Sequence, residues 1–226
     1  MRKKIVLANW KANLSPDRAN QWCDAFAAVY QPRIDLEVVL AVPFLLLERI
    51  AGRVQTLAGV SLASQSVSSY PQGNYTGSIP AAWLRGLAQY TLLGHLERRR
   101  WFHETVQDVA RQAYESLVEE LLPIVCIDRA VLISQTAAIA AEELDRLIWA
   151  YTPETPATFE MARTETDITA ILPQIAQKTG NRPVLYGGGV TAGNAAGLWR
   201  LPGLSGIMLG HGCLDGAAFA GLVNRL

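Results

Sequence analysis

Eight short apolar runs, each followed by a longer amphipathic segment, constrain this chain more than any other feature. The runs are Lys4–Asn9, Leu36–Ala41, Ser61–Val67, Tyr90–Gly94, Pro123–Ile127, Leu147–Tyr151, Pro183–Tyr186 and Gly206–Leu209. Most are continuously apolar rather than alternating, as strands are when both faces of their sheet are covered. Helical periodicity fills the gaps. It is clearest over Glu104–Leu121, where Val106, Val109, Ala113, Leu117 and Leu121 share one face. Thr164 with Asp167 three residues on marks a helix start, Pro173 should strain the helix that follows, and Asp215–Leu226 is predicted as a closing helix. Strand and helix alternating eight times predict an α/β fold, a (β/α)8 barrel at the short end of its size range. An open doubly wound sheet usually carries a glycine-rich turn after its first strand, and "ANWKAN" at 8–13 is not one. No linker or low-complexity tract divides the chain, so residues 1–226 are expected to form a single domain.

Composition removes several function classes. Half of the 226 residues are apolar, and 20 basic residues balance 20 acidic ones. No global field therefore favours nucleic acid or an anionic membrane surface. The apolar run Ile5–Ala8 is too short for a signal sequence, and no stretch reaches membrane-spanning length. Cys23, Cys126 and Cys213 lie far apart, outside metal-ligand or disulfide spacing, and read as free thiols of a reducing cytosol. A cytoplasmic protein without cofactor or metal is expected.

In a (β/α)8 barrel the chemistry sits at the C-terminal ends of the strands. Asn9 and Lys11 end the first strand, and a lysine aimed into a barrel mouth must be paired or used. His95 follows Gly94 at the fourth strand's end and precedes Glu97; a structural histidine and a functional one both fit that place. Arg98, Arg99 and Arg100 read as a solvated helix start, with pairs to Glu97 or Glu104 open to them. Tyr186-Gly-Gly-Gly-Val190 and Gly210-His211-Gly212 end the last two strands. Three glycines alone can be a tight turn. Together the two loops read as a phosphate grip made of backbone N–H groups.

These segments resemble the triosephosphate isomerase family, in family order along essentially the whole chain. The resemblance is carried by "ANWKAN" (8–13), "GNYTGSI" (73–79), "LLGHLERRRWFHET" (92–105), "LLPIVCI" (121–127), "AYTP" (150–153), "LYGGGVTAGNA" (185–195) and "GIMLGHGCL" (206–214). It implies interconversion of dihydroxyacetone phosphate and glyceraldehyde 3-phosphate. Asn9 and Lys11 would contact substrate oxygens, with His95 as neutral electrophile and Glu97 as partner of Lys11. Gly188, Gly189, Gly210 and the backbone at His211 would hold the phosphate of a small three-carbon substrate or anion. The segment 66–78 resembles the family's interdigitating loop, which implies a homodimer.

The departures cluster around one step. Where the family reads Ala-Tyr-Glu-Pro, with the glutamate as general base, this chain has Thr152. The serine that follows the family's histidine is Leu96 here. No glycine occurs between Gly94 and Gly180, so the family's Gly-Thr-Gly lid element is absent. The family's strand-five Gly-Glu is Asp128-Arg129, its phosphate-loop serine is Gly189, and its second loop-eight glycine is His211. Glu154 lies two residues past Thr152, about 6–7 Å further along an extended chain, beyond a general base's normal reach. Glu160 and Glu165 are weaker candidates. The expectation is a family barrel with isomerase activity lost or very weak. A working isomerase using a displaced acid such as Glu154, and a non-catalytic dimeric scaffold, are the alternatives.

Overall fold

The computed structural model describes residues 3–153 and 164–226. Eight parallel strands close into a barrel in sequence order, β1 pairing β2 on one side and β8 on the other. They are β1 (Lys4–Asn9), β2 (Leu36–Val42), β3 (Val60–Ser64), β4 (Tyr90–Leu93), β5 (Leu122–Ile127), β6 (Ile148–Tyr151), β7 (Val184–Tyr186) and β8 (Gly206–Leu209). Helices α1 (Pro16–Val29), α2 (Phe44–Gln55), α3 (Leu96–Trp101), α4 (Val106–Val118), α5 (Leu132–Ala138), α6 (Ala141–Leu144), α7 (Glu165–Thr179), α8 (Ala195–Arg200) and α9 (Gly216–Asn224) lie between and after them. The architecture is the TIM barrel that the strand–helix alternation predicts.

Continuous apolar strands make sense because their two residue sets enter two cores. Ile5, Leu7, Val39, Ala41, Ala63, Tyr90, Leu92, Ile124, Cys126, Ile148, Ala150, Leu185 and Met208 fill the barrel interior. The intervening residues, such as Val6, Ala8, Val38, Leu40, Trp149 and Tyr151, pack under the helices. Continuing the interior set two residues toward the C-terminal mouth gives Asn9, Gln65, Gly94, Asp128, Thr152, Gly187 and Gly210. That register decides which side chains can meet a ligand.

One boundary differs instructively from the sequence reading, and one helix start falls where it was expected. The third strand stops at Ser64, because Val42 is its last partner on β2 and Thr91 its last on β4. Gln65 turns out of the ladder and donates its amide to the Ala41 carbonyl at 3.0 Å. Helix α7 is capped at Thr164, whose hydroxyl accepts from Asp167 N at 3.2 Å, and it runs through Pro173 unbroken. Pro173 and Thr169 both face solvent, so water can take the carbonyl that the proline leaves without its N–H. Helix α4 starts from a reciprocal capping box between Thr105 and Asp108. The three cysteines are buried free thiols.

Candidate active site

Lys11 reaches the mouth through an uncommon backbone turn. Its φ is +50, a left-handed conformation that a lysine holds only when its surroundings over-determine it. The surroundings are visible: Lys11 N donates to Asn9 Oδ1 at 3.0 Å, and Gln65 Nε2 donates to the Lys11 carbonyl at 3.0 Å and to Asn9 Oδ1 at 3.3 Å. The ammonium then meets Glu97 Oε1 at 2.5 Å. These side chains keep 30% and 41% of their surface exposed, so solvent screens the pair and its worth to stability is at most about 1 kcal/mol. Gln65 was not anticipated as a site residue. Its position two after the inward Ala63 was the available signal.

His95 caps α3. Its Nδ1 accepts from Glu97 N at 3.2 Å, which assigns the proton of the neutral ring to Nε2. Burial lowers the imidazole pKa to about 4; the Glu97 carboxylate pulls it back up and the Lys11 ammonium pushes it down. At neutral pH the ring is therefore uncharged. Its 3.7 Å separation from Glu97 Oε2 is not an ion pair. A neutral imidazole is the state the family resemblance calls for in polarising a carbonyl.

The loop after β8 comes up beside Lys11, and the loop after β7 lies against it. A Cβ on Gly210 would lie 3.7 Å from the Lys11 ammonium nitrogen. Gly188 is fixed by close approach, since a Cβ there would lie 2.7 Å from both Pro153 Cγ and the Tyr186 hydroxyl. Gly189 has φ +58, and Asn194 Nδ2 donates to its carbonyl at 2.9 Å. A Cβ on Gly212 would lie 3.6 Å from the Val190 carbonyl, so the two loops touch. His211 opens the short 3-10 turn His211–Cys213 and is exposed.

Thr152 occupies the inward position beyond β6, two residues above Ala150, and is buried to 6% exposure. Its N–H donates to the Ile127 carbonyl at 2.8 Å, and its hydroxyl lies 3.4 Å from the same oxygen. Gly94, Leu96, Arg99, Cys126, Asp128 and Val131 line a narrow cleft with it. Asp128 Oδ1 accepts from the N–H groups of Ala130 and Val131 at 2.8 and 3.0 Å. Glu154 and Glu160 lie outside the described residues. Glu165 is described: it is exposed in the first turn of α7, against Gly197 of α8.

The arginine run divides three ways, which corrects its reading as a solvated helix start. Arg98 pairs with Glu104 at 2.6 Å, as one of the open pairings had it, and Arg100 stacks over Trp101. Arg99 turns inward instead. It donates to the Gly94 carbonyl at 2.8 Å, the Cys126 carbonyl at 3.3 Å and Gln135 Oε1 at 2.7 Å. The guanidinium thus ties the ends of β4 and β5 to α5. Nothing local in the sequence separates Arg99 from its neighbours.

A family profile described as triosephosphate isomerase matches residues 4–226. The chain belongs to the triosephosphate isomerase family. Triosephosphate isomerases of Alkaliphilus oremlandii, Marinobacter nauticus and Phocaeicola vulgatus are 29%, 30% and 30% identical to it. Those matches cover 99%, 97% and 99% of this chain and 100%, 96% and 99% of the relatives. The first extends over 255 aligned positions against the 226 residues here, so this triosephosphate isomerase relative lacks stretches that the other protein has. Among the described residues no cluster of histidine, cysteine and carboxylate side chains could hold a metal, and no helix is long and apolar enough to cross a membrane.

Proposed function

We propose that this triosephosphate isomerase homologue retains the family's electrophilic site and phosphate loops but has lost the general base. Interconversion of dihydroxyacetone phosphate and glyceraldehyde 3-phosphate is then absent or very weak. The observation that carries this reading is Thr152 at the inward position beyond β6. An alcohol there cannot take a carbon-bound proton at neutral pH. General-base catalysis typically supplies 10²–10⁴-fold, about 3–5.5 kcal/mol of barrier, and that contribution is missing.

The remaining groups form a coherent anion site. Lys11, the Asn9 amide and His95 Nε2–H are donors suited to two adjacent substrate oxygens, with the glycines at 188, 189 and 210 and the backbone at 211 as phosphate grip. Glu97 holds the Lys11 ammonium between ligands. The left-handed Lys11 backbone, held by Gln65 and Asn9, favours this reading over a vestigial scaffold. Such a protein would act in the cytoplasm at the glycolytic and gluconeogenic triose-phosphate pool, as a pseudoenzyme or a binder of phosphorylated three-carbon metabolites.

A homodimer through residues 66–78 is part of the proposal. Supporting it, residues 70–78 stand exposed, Tyr70 stacks on Tyr75 at 4.6 Å, and Ser68 N closes the base of the loop on the Ile79 carbonyl at 2.8 Å.

The test is a coupled isomerase assay on the wild type, Thr152→Glu and Glu154→Gln. Weak or absent wild-type turnover, with gain in Thr152→Glu, is expected. Substantial wild-type turnover that collapses in Glu154→Gln would transfer the base role to Glu154 and overturn the reading.

A further inference from the structure

A second concavity shares no residue with the candidate active site. It encloses about 420 Å³ between the loop after β3, helix α4 and the stretch from α5 to α6, a volume in the range of small-molecule sites. Its lining is made of rings and methyl groups: Tyr70 and Pro71 of the loop, Ala110 and Tyr114 of α4, and Ala138 and Ala140 at the end of α5. Ala110 and Tyr114 are four apart and so share a face of α4. The three alanines leave the space that longer side chains would fill. Only Ser69, Tyr70 and Pro71 fall in the segment 66–78, so the α4 and α5–α6 side lies outside the stretch proposed for the dimer.

Three charged side chains border this apolar lining: Arg111, Glu115 and Glu143. They do not neutralise one another. Arg111 reaches Asp108 at 3.9 Å, and among the described residues neither Glu115 nor Glu143 joins an ion pair. One guanidinium against two carboxylates leaves the concavity net negative. Burial raises the pKa of the Glu115 carboxyl, and Glu119 adds to the rise. Burial raises that of Glu143 too, opposed by a backbone hydrogen bond at Ala140 and reinforced by Glu142. Both carboxylates thus stand where a positive charge would be welcome.

The aromatic rings point to the same kind of ligand. Tyr114 is 53% exposed, and among the described residues cations lie over Trp199, Phe102 and Trp101 but over neither tyrosine of the concavity. An open ring face beside unpaired carboxylates attracts an ammonium, and methyl groups next to it cover the hydrocarbon that carries the charge.

We infer that this concavity binds a small organic cation, a primary ammonium on an aromatic or aliphatic body, with Glu115 and Glu143 receiving the charge and Tyr114 and the alanines the body. The inference is independent of the function proposed for the barrel mouth.

Amide-detected NMR titration of the full-length protein at neutral pH tests it. The probes are 2-phenylethylamine, 2-phenylethanol and 3-phenylpropionate, which share an aromatic body and differ in charge. The amine is expected to shift amides in segments 69–71, 110–115 and 138–143, and to bind about tenfold tighter than the alcohol. Combined Glu115→Gln and Glu143→Gln should reduce the amine to the alcohol's affinity, with the amide spectrum reporting that the variant folds. Ala138→Leu, which fills the concavity, should weaken amine and alcohol alike. Alcohol or acid binding as tightly as the amine would overturn the inference. So would an amine affinity unchanged in the folded double variant or in Ala138→Leu. An absence of shifts in these three segments at millimolar amine would overturn the site itself.

Discussion

The protonation state of His95 is where the site's chemistry can be checked most directly. Its pKa is lowered from 6.5 to about 4, chiefly by burial, with Glu97 and Lys11 acting in opposite directions. A depressed histidine favours the neutral ring in the folded state. It therefore contributes stability above pH 6.5, and that contribution is lost as pH falls toward 4. From these two values the loss is negligible at pH 7.5, about 2 kcal/mol at pH 5 and about 3 kcal/mol below pH 4. Urea denaturation of the wild type and His95→Gln at pH 7.5, 6 and 5 isolates it. Between pH 7.5 and 5 the wild type should lose about 2 kcal/mol more than the variant, because other groups titrate alike in both. NMR titration of the three histidines, His95, His103 and His211, gives a second reading. A His95 resonance titrating at pH 6 or above, with parallel pH–stability curves for the two proteins, would refute a neutral electrophile held by burial.

Lys11→Met should change stability by less than about 1 kcal/mol, because the Lys11–Glu97 pair is solvent-screened, yet weaken glycerol 3-phosphate binding at least tenfold by calorimetry. Arg99→Met removes the donor to the Gly94 and Cys126 carbonyls and Gln135, and is expected to cost about 2–4 kcal/mol by urea denaturation. Thr105→Ala breaks the capping box of α4 and should cost about 1 kcal/mol, read as a lower urea midpoint with unchanged slope.

The residues differ in how far the sequence foretold them. Thr152 was legible as an inward residue because strand periodicity carries from Ile148 and Ala150 straight to it. Lys11 was legible as a mouth residue, but not as the end of the first strand, which stops at Asn9. Lys11 reaches the mouth on a left-handed turn that depends on Gln65, a residue 54 positions away. The arginine run shows the limit more plainly. Three identical side chains in a row go to a carboxylate, into the wall of the barrel and over a tryptophan, because α3 points each in a different direction.

The sequence by itself determined the eight-fold alternation of strand and helix, the closed parallel barrel that follows from it, and the residue types at the strand ends. Those depend on local periodicity, which every stretch of chain carries in itself. Only the tertiary structure supplied the burial that holds His95 neutral, the Gln65 brace that holds Lys11 on its left-handed turn, and the partners that build Arg99 into the wall beside Thr152. Each depends on burial or on partners distant in sequence, and desolvation and pairing act only once the barrel has closed.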